Sequence, residues 1–310
     1  MKTAICLMGP TASGKTDVAI SLCRRFPLQV ISVDSALVYR GMDIGTAKPD
    51  AHTLRETPHR LIDIRDPEER YSAGDFVRDA RAEMQQIFAQ DRIPLLVGGT
   101  MMYFRALTGG IADLPSADVE IRATIDADAQ DLGWPAMHQR LNEVDPAAAK
   151  RIEPNDRQRI QRALEVFLLS GKPLTVWQES TAGKALEDCR FHKIALQPGS
   201  RKVLHERIEK RLNLMLNNGF LEEVKALYDR TELTVDHPSM RSVGYRQLWQ
   251  HLDGEICIEE AGARALYATR QLAKRQITWL RSESGLMLFD PLEDNTIDAI
   301  STSLLEFFEV

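Results

Sequence analysis

The chain has 310 residues, 44% hydrophobic and 27% charged, with a formal net charge of −6. That balance supplies a sizeable core for one large domain or two, and it excludes a disordered or fibrous chain. No apolar run is long enough to span a bilayer, and the acidic total excludes a globally basic nucleic-acid binder while leaving room for a local basic channel.

In chain order, residues 4–8 form an apolar, strand-like run preceded by Lys2, which has the look of a signal peptide. The run leads straight into a glycine loop, so cleavage would destroy the protein, and the signal reading is rejected. The loop, Gly9-Pro10-Thr11-Ala12-Ser13-Gly14-Lys15-Thr16, fits the pattern G-x-x-x-x-G-K-[ST]. A helical pattern follows over residues 17–25, with Val18, Ala19, Leu22 and Cys23 on one side. Strand, glycine loop and helix together suit an anion: backbone N–H groups curl around it and the helix N-terminus adds partial positive charge. In this pattern Lys15 reaches a terminal phosphate and the Thr16 hydroxyl ligates Mg²⁺. The competing reading is a glycine-rich turn that binds nothing. The loop sees a diphosphate and does not say of which compound.

Leu28–Val33 is a second strand, rich in β-branched residues, and it ends at Asp34. Ligands of α/β sheets sit beyond the carboxyl ends of strands. An acid there suits a general base or a Mg²⁺ partner, and it equally suits an N-cap for a following helix. Residues 41–49 read as a loop and 59–64 as a short strand. Ser72 and Asp75 form a capping-box signature opening a helix to about Gln90, with Phe76, Ala80, Met84 and Ile87 at helical spacing. Residues 93–98 read as a buried strand ending in Gly98-Gly99-Thr100. Thr100 offers a hydroxyl at the same sheet edge, although alone it reads more simply as an N-cap. This strand lacks the Asp that many P-loop NTPases carry after it, and no Asn-Lys-x-Asp is present; both weaken an NTPase reading.

From about Asp113 the strand-like runs stop and helical patterns continue to about Cys189. One helix runs over residues 156–170, between Pro154-Asn155 and Gly171, with Ile160, Ala163, Leu164 and Phe167 on its apolar face. Arg157, Arg159 and Arg162 crowd its first turns, against the helix dipole. They answer either to phosphates or to a solvated basic face. Residues 191–196 return to a strand. Ser200 caps a helix with Ile208, Leu212 and Met215 inside and Arg207, Lys210 and Arg211 interleaved; Asn218-Gly219 ends it. The stretch Ser239-Met240-Arg241-Ser242-Val243-Gly244-Tyr245-Arg246 combines phosphate donors, a glycine and a stackable ring, which suits RNA. A helix over residues 258–281 carries Arg270, Lys274, Arg275, Trp279 and Arg281 late, where cations also complement its own dipole. Leu286–Phe289 and a final helix close the chain. Cys6, Cys23, Cys189 and Cys257 form no C-x-x-C pair and read as buried thiols of a reducing compartment. The expected fold is α/β: a P-loop NTPase-like core with a parallel sheet flanked by helices, over 1–117 and 190–310, plus an all-helical insertion over 118–189.

Matching stretches, in order and over nearly the whole chain, make the sequence resemble the bacterial tRNA dimethylallyltransferase (tRNA isopentenyltransferase) family. They are 9–16, Asp-Ser-Ala-Leu-Val-Tyr at 34–39, Gly-Met-Asp-Ile-Gly-Thr-Ala-Lys-Pro at 41–49 and Gly-Gly-Thr at 98–100. Further on come Asn-Asp-Arg-Gln-Arg-Ile-Gln-Arg-Ala-Leu-Glu-Val at 155–166, Arg-Ser-Val-Gly-Tyr-Arg at 241–246 and Thr-Arg-Gln-Leu-Ala-Lys-Arg-Gln-Ile-Thr-Trp at 269–279. The zinc-finger extension of eukaryotic members is missing, which fits a bacterial enzyme.

The resemblance implies transfer of a dimethylallyl group from dimethylallyl diphosphate to N6 of the adenine just 3′ of the tRNA anticodon, with Mg²⁺. It implies a diphosphate site made of Gly9, Thr11, Ala12, Ser13, Gly14, Lys15 and Thr16, with Arg211 and Arg159. Thr16 is the implied metal ligand. Asp34 is implied to take the N6 proton and Thr100 to hold the same amine. The tRNA is implied to lie between core and insertion. Its implied contacts are Asp34, Ser35, Ala36, Leu37, Thr100, Arg122, Gln158, Arg159, Ile160, Gln161 and Arg162, then Arg241, Ser242, Val243, Gly244, Tyr245 and Arg246. Lys274, Arg275, Gln276, Ile277, Thr278, Trp279 and Leu280 complete them. The cysteine usage and the lack of a membrane-spanning run point to the cytoplasm, and the expected state is a monomer without a membrane partner.

Three rivals exist. A P-loop small-molecule or nucleotide kinase has no use for the basic helical insertion or the 241–246 stretch. The same stretches argue against a prenyltransferase acting on free AMP. A non-catalytic RNA-binding protein does not require intact Gly14-Lys15-Thr16 together with Asp34 and Thr100.

Overall fold

Near-continuous apolar strands buried on both faces are the signature of a parallel sheet, and such a sheet organises the chain. The structure is a computed structural model that describes residues 1–112, 114–181 and 188–309. The composition change at Asp113 and residues 182–187 of the expected insertion lie outside them. The strands are β1 (Lys2–Met8), β2 (Leu28–Val33), β3 (His59–Arg60), β4 (Ile93–Gly98), β5 (Cys189–Leu196) and β6 (Leu286–Phe289). They pair in parallel in the order β3-β2-β4-β1-β5-β6. From β1 the chain moves outward to β2 and β3, returns to β4, and then passes to β5 on the other side of β1. The end of β1 is therefore the switch point, where a crevice is expected, and the glycine loop follows it directly.

The helices in chain order are α1 (Lys15–Arg25), α2 (Ala51–Glu56), α3 (Ala73–Phe88), α4 (Met101–Gly109), α5 (Val119–Leu132), α6 (Trp134–Val144) and α7 (Pro146–Arg151). They continue as α8 (Arg157–Ser170), α9 (Leu174–Thr181), α10 (Arg201–Asn217), α11 (Phe220–Tyr228), α12 (Tyr245–Leu252), α13 (Ile258–Leu280) and α14 (Thr296–Glu309). α1 and α14 cover one face of the sheet: Val18, Ala19, Leu22, Ile300 and Leu304 pack on Ile5, Leu7, Val30 and Leu95. α3 packs against β2 and β4. Its capping box forms as the sequence predicts, with Ser72 accepting from Asp75 N and Asp75 accepting from Ser72 N. No helix among the described residues is long and apolar enough to cross a membrane.

Several local expectations change. The strand expected over 59–64 stops after Arg60, because Leu61 and Asp63 take left-handed φ angles of 62° and 56°. Ser200 stands at the N-cap of α10, but its side chain makes no capping bond. Of the four cysteines expected to be buried only Cys6 is; Cys23 and Cys189 are half-buried and Cys257 is exposed.

Contacts divide the chain into two compact units: Met1–Ala106 with Glu187–Val310, and Leu107–Leu186. Among its described residues the regular elements of the second are all helices, with a core of Ile125, Met137, Leu141, Ile160, Leu164 and Val166 among others. Asp156 caps α8 by accepting from Arg159 N, and Gly171 ends it at φ 68°. Glu165, in the middle of α8, is fully buried. Its carboxylate accepts Arg122 Nε at 2.8 Å, an Arg122 NH at 3.0 Å, an Arg162 NH at 2.6 Å and Asp118 N at 2.9 Å. Arg162 also donates to Pro115 O at 2.7 Å. Burial alone would raise the Glu165 pKa, but the bonds from Arg122, Arg162 and Asp118 outweigh it and hold the carboxyl below its ordinary value.

Glu165→Ala is therefore expected to destabilise this unit by about 3 kcal/mol, as when one partner of a buried ion pair is removed. The depressed pKa contributes stability above the unfolded value of about 4.3 and loses it as pH falls through the folded one. Urea unfolding at pH 7 and pH 3 tests both points. Equal midpoints for wild type and variant at pH 7 would return the two arginines to a solvated role.

Candidate functional site

The loop after β1 takes the shape its glycines permit. Ala12 at φ 62° and Gly14 at φ 91° are both left-handed, the backbone pattern that turns successive N–H groups toward one point. Gly14 caps α1, so the helix N-terminus adds its partial charge there. Ser13 is fully buried inside the loop, and Lys15 Nζ donates to Pro10 O at 2.7 Å and Ser13 Oγ at 3.4 Å. Desolvation lowers the Lys15 pKa to about 8; Asp34 opposes this and Arg211 adds to it.

Two distant side chains brace the loop. Arg207 Nε donates to Ala12 O at 2.8 Å. Gln276 Oε1 accepts Thr11 N at 2.8 Å, and its Nε2 donates to Gly99 O at 2.9 Å. Gln276 thus ties the phosphate loop to the end of β4.

At the end of β2, Asp34 Oδ1 accepts the amides of Ala36 at 2.8 Å and Leu37 at 3.3 Å. No helix follows, so the N-cap alternative is not realised; the carboxylate shapes a turn instead. Thr100 Oγ1, at the end of β4, accepts Ser35 N at 3.1 Å. Its hydroxyl therefore reaches the Asp34 turn.

These strand ends open into one cavity of about 1040 Å³. Its lining carries six basic side chains, Lys15, Arg207, Lys210, Arg211, Arg241 and Arg275, against two acidic ones, Asp17 and Asp34. In a chain of net charge −6 that local excess selects an anionic ligand. Ile208, Leu212, Met215, Phe220 and Trp279 add apolar surface. Arg105 lies over the Trp279 ring at 4.3 Å and pairs with Glu283, which also meets Lys193. For a hard cation the donors are oxygens: the Thr16 hydroxyl and Ser32 Oγ, which is buried without a hydrogen-bond partner and belongs to the same lining. No group of three or more His, Cys, Asp or Glu among the described residues could hold a metal alone. That set suits Mg²⁺, which commonly takes few protein ligands and completes its shell with substrate phosphates and water.

The family model described as IPP transferase matches residues 37–283. The chain belongs to this family. Similar solved structures span it almost completely. The tRNA isopentenylpyrophosphate transferase of Bacillus halodurans is 36% identical, with a TM-score of 0.72, over 99% of this chain and 97% of that one. The tRNA delta(2)-isopentenylpyrophosphate transferase of Staphylococcus epidermidis is 30% identical, with a TM-score of 0.71, over 99% of each. A eukaryotic dimethylallyltransferase acting on tRNA is 25% identical, with a TM-score of 0.85, over 99% of this chain and 79% of that one.

In this IPP transferase family member the cavity gathers Thr11, Ala12, Gly14, Lys15, Thr16, Asp34, Ser35, Ala36, Leu37, Thr100 and Arg211. Arg241, Ser242, Val243, Gly244, Arg275, Gln276 and Trp279 also line it. Gly9 supports the loop from below, buried against Leu196. Lys274 and Thr278 are exposed on α13, and Arg246 is exposed on α12. Four residues expected to touch RNA are core instead. Ile160 and Tyr245 have no exposed surface, Leu280 has 1% and Ile277 8%. Tyr245 stands in the cavity wall, but with no exposed surface its ring is not free to stack: it meets Phe220 edge-on and donates its hydroxyl to Glu223. Arg122 and Arg162 are held by Glu165, whereas Gln158 and Arg159 are exposed at the start of α8 and Gln161 donates to Asp126. Arg207 had no assigned role in the sequence, yet it sits one helical turn before Arg211, on the same side of α10.

Proposed function

We propose that this protein transfers a dimethylallyl group from dimethylallyl diphosphate to N6 of the adenine immediately 3′ of the tRNA anticodon. The observation that carries the reading is the strongly basic cavity in which a phosphate loop, Asp34 and Thr100 share one lining. The similarity to transferases that act on tRNA supports the same reaction. A kinase is not favoured.

The bond from the allylic carbon to the diphosphate oxygen breaks, and its electron pair leaves with the diphosphate. The bond from that carbon to N6 forms, and one N6 proton passes to Asp34. Negative charge grows on the leaving group, so stabilisation concentrates there. The loop amides, Lys15, Arg211 and Arg207 supply it. Mg²⁺, which Thr16 would hold, would add charge neutralisation at the leaving group. The acceptor base must leave its stack to enter a cavity. Asp34, pinned through Oδ1, keeps its second oxygen for the amine, and the Thr100 hydroxyl holds the amine from the other strand end. A carboxylate is a weak base toward an amine, but the proton becomes acidic only as N6 gains positive charge. Catalysis belongs in this reading to the discontinuous α/β unit, and 118–189 acts as an RNA-contacting insertion. The enzyme works as a monomer in the cytoplasm.

The test mixes purified protein and Mg²⁺ with unmodified tRNA and labelled dimethylallyl diphosphate, with labelled ATP and free AMP in parallel. Label entering tRNA from the prenyl donor is expected. Label moving from ATP, or only into AMP, overturns the substrate assignment. A companion measurement separates two arginines. Arg159, with its side chain 71% exposed, is expected to contact a phosphate, so Arg159→Ala lowers the slope of log K against log salt by about 0.7–0.9. Arg162→Ala acts through stability, because Glu165 loses a partner. An unchanged slope for Arg159→Ala removes that residue from the RNA surface.

A further inference from the structure

Glu223 lies on α11, three residues after Phe220 and therefore on the same side of the helix. Its Oε2 accepts the backbone N–H of Asp43 at 2.8 Å and of Ile44 at 2.7 Å. Its Oε1 accepts Gly45 N at 3.0 Å and the Tyr245 hydroxyl at 2.5 Å. Three consecutive amides aimed at one carboxylate form an anion nest filled from within the protein. Phe220 drives into the same place. A Cβ on Gly45 would lie 2.1 Å from the Phe220 ring, and one on Gly244 2.8 Å, so both backbones close on that ring only as glycine. The far side of the loop is held by Lys48, whose side chain is 4% exposed. Its ammonium donates to Tyr39 O at 2.9 Å and to Asp43 Oδ1 and Asp63 Oδ1, each at 2.5 Å.

The loop so fixed is part of the cavity wall. Gly45, Thr46, Ala47 and Pro49 line the space that Asp34 and the phosphate loop also line. Tyr245, the fourth donor to Glu223, ends the run Arg241–Gly244, which lines it as well. We propose that Glu223 is a positioning residue that locks the 43–45 loop to the 241–246 stretch and so sets the acceptor side of the cavity, leaving the diphosphate side untouched. The proposal rests on the RNA-transfer reading above. Its chemistry is specific to a carboxylate: four donors converge on two oxygens that carry no hydrogen. A glutamine would turn an NH₂ toward two of those donors, at nearly unchanged volume.

The test uses the full chain with Glu223→Gln and Glu223→Asp. Three quantities are read: melting temperature, the affinity for Mg²⁺–inorganic diphosphate, and kcat and KM for an anticodon stem-loop RNA at saturating prenyl donor. Glu223→Gln is expected to lower kcat/KM for RNA about tenfold or more, since buried donors lose their acceptor. Diphosphate affinity stays within about twofold, because the phosphate loop is braced separately by Arg207 and Gln276. Glu223→Asp keeps the charge and gives the same split at smaller size, which also covers a glutamine variant that fails to fold. Unchanged RNA kinetics in Glu223→Gln overturns the proposal, as does a parallel loss of diphosphate affinity in both variants. A wild type that binds diphosphate but transfers nothing to RNA overturns the parent reading, and this proposal with it.

Discussion

Asp34→Asn is expected to lower the transfer step by about 10²–10⁴-fold, the range for loss of a positioned general base, while tRNA affinity stays within a few-fold. Asparagine is the informative replacement. Its side-chain oxygen can still accept the amides of Ala36 and Leu37, so the turn after β2 keeps its shape. What it cannot do is take a proton. Asp34→Ala removes both functions and is expected to fall at least as far, with some loss of tRNA affinity as the turn loosens. Single-turnover transfer with enzyme in excess reads the chemical step without product release. If Asp34→Asn keeps more than a tenth of wild-type rate, the carboxylate shapes the turn and another group takes the proton. If Asp34→Asn is active and Asp34→Ala is dead, the residue is structural.

The sheet was legible because its signal is local. The apolar run before the loop and Leu28–Val33 each carry their burial in consecutive residues, and β2 and β6 match the predicted bounds, although β6 is an edge strand with Met287 and Leu288 exposed. The phosphate loop was legible because its chemistry fixes a spacing. What was not legible depends on partners far apart in sequence. Arg122 was a phosphate candidate through the family resemblance, and its neutralising group is Glu165, 43 residues away; for Arg162 the same Glu165 stands three residues on in its own helix and could have been read from the sequence. Tyr245 read as a free ring among arginines, and its burial follows from Phe220 and Glu223 on a preceding helix. Ile277 and Leu280 fell inside a stretch read as RNA-facing; helical periodicity alone turns Leu280 away from Lys274 and Thr278, whereas Ile277 is only a turn from Lys274 and is buried by Leu204 and Ile208 of α10. Arg207 could have been found the same way, since it is four residues before Arg211 and shares its face. The loop over 41–49 gave no role at all from composition. Its importance appears only once Glu223 and Lys48 are seen to grip it from two sides.

Lys15→Ala is expected to weaken transfer about 10²–10³-fold, as for loss of one preorganised donor to a developing anion, and to change its pH dependence in a defined direction. In the free protein desolvation brings Lys15 down to about 8. A bound diphosphate places negative charge beside the ammonium and raises its pKa. Binding then favours the protonated lysine. Below pH 8 Lys15 is already charged, so affinity for Mg²⁺–diphosphate does not change on its account. Above pH 8 each complex formed must take up a proton, and affinity falls, approaching tenfold per pH unit, until the pKa of the complex is reached. The titration of diphosphate itself is common to both proteins and cancels between them. Calorimetric affinities at pH 7, 8, 9 and 10 should therefore diverge: wild type loses affinity above pH 8, and Lys15→Ala stays flat relative to it. Repeating the pH 9 titration in buffers of different ionisation enthalpy should reveal proton uptake by wild type alone. Parallel pH profiles would mean that Lys15 does not titrate near 8, and that the charge it offers the diphosphate costs the free protein nothing to maintain.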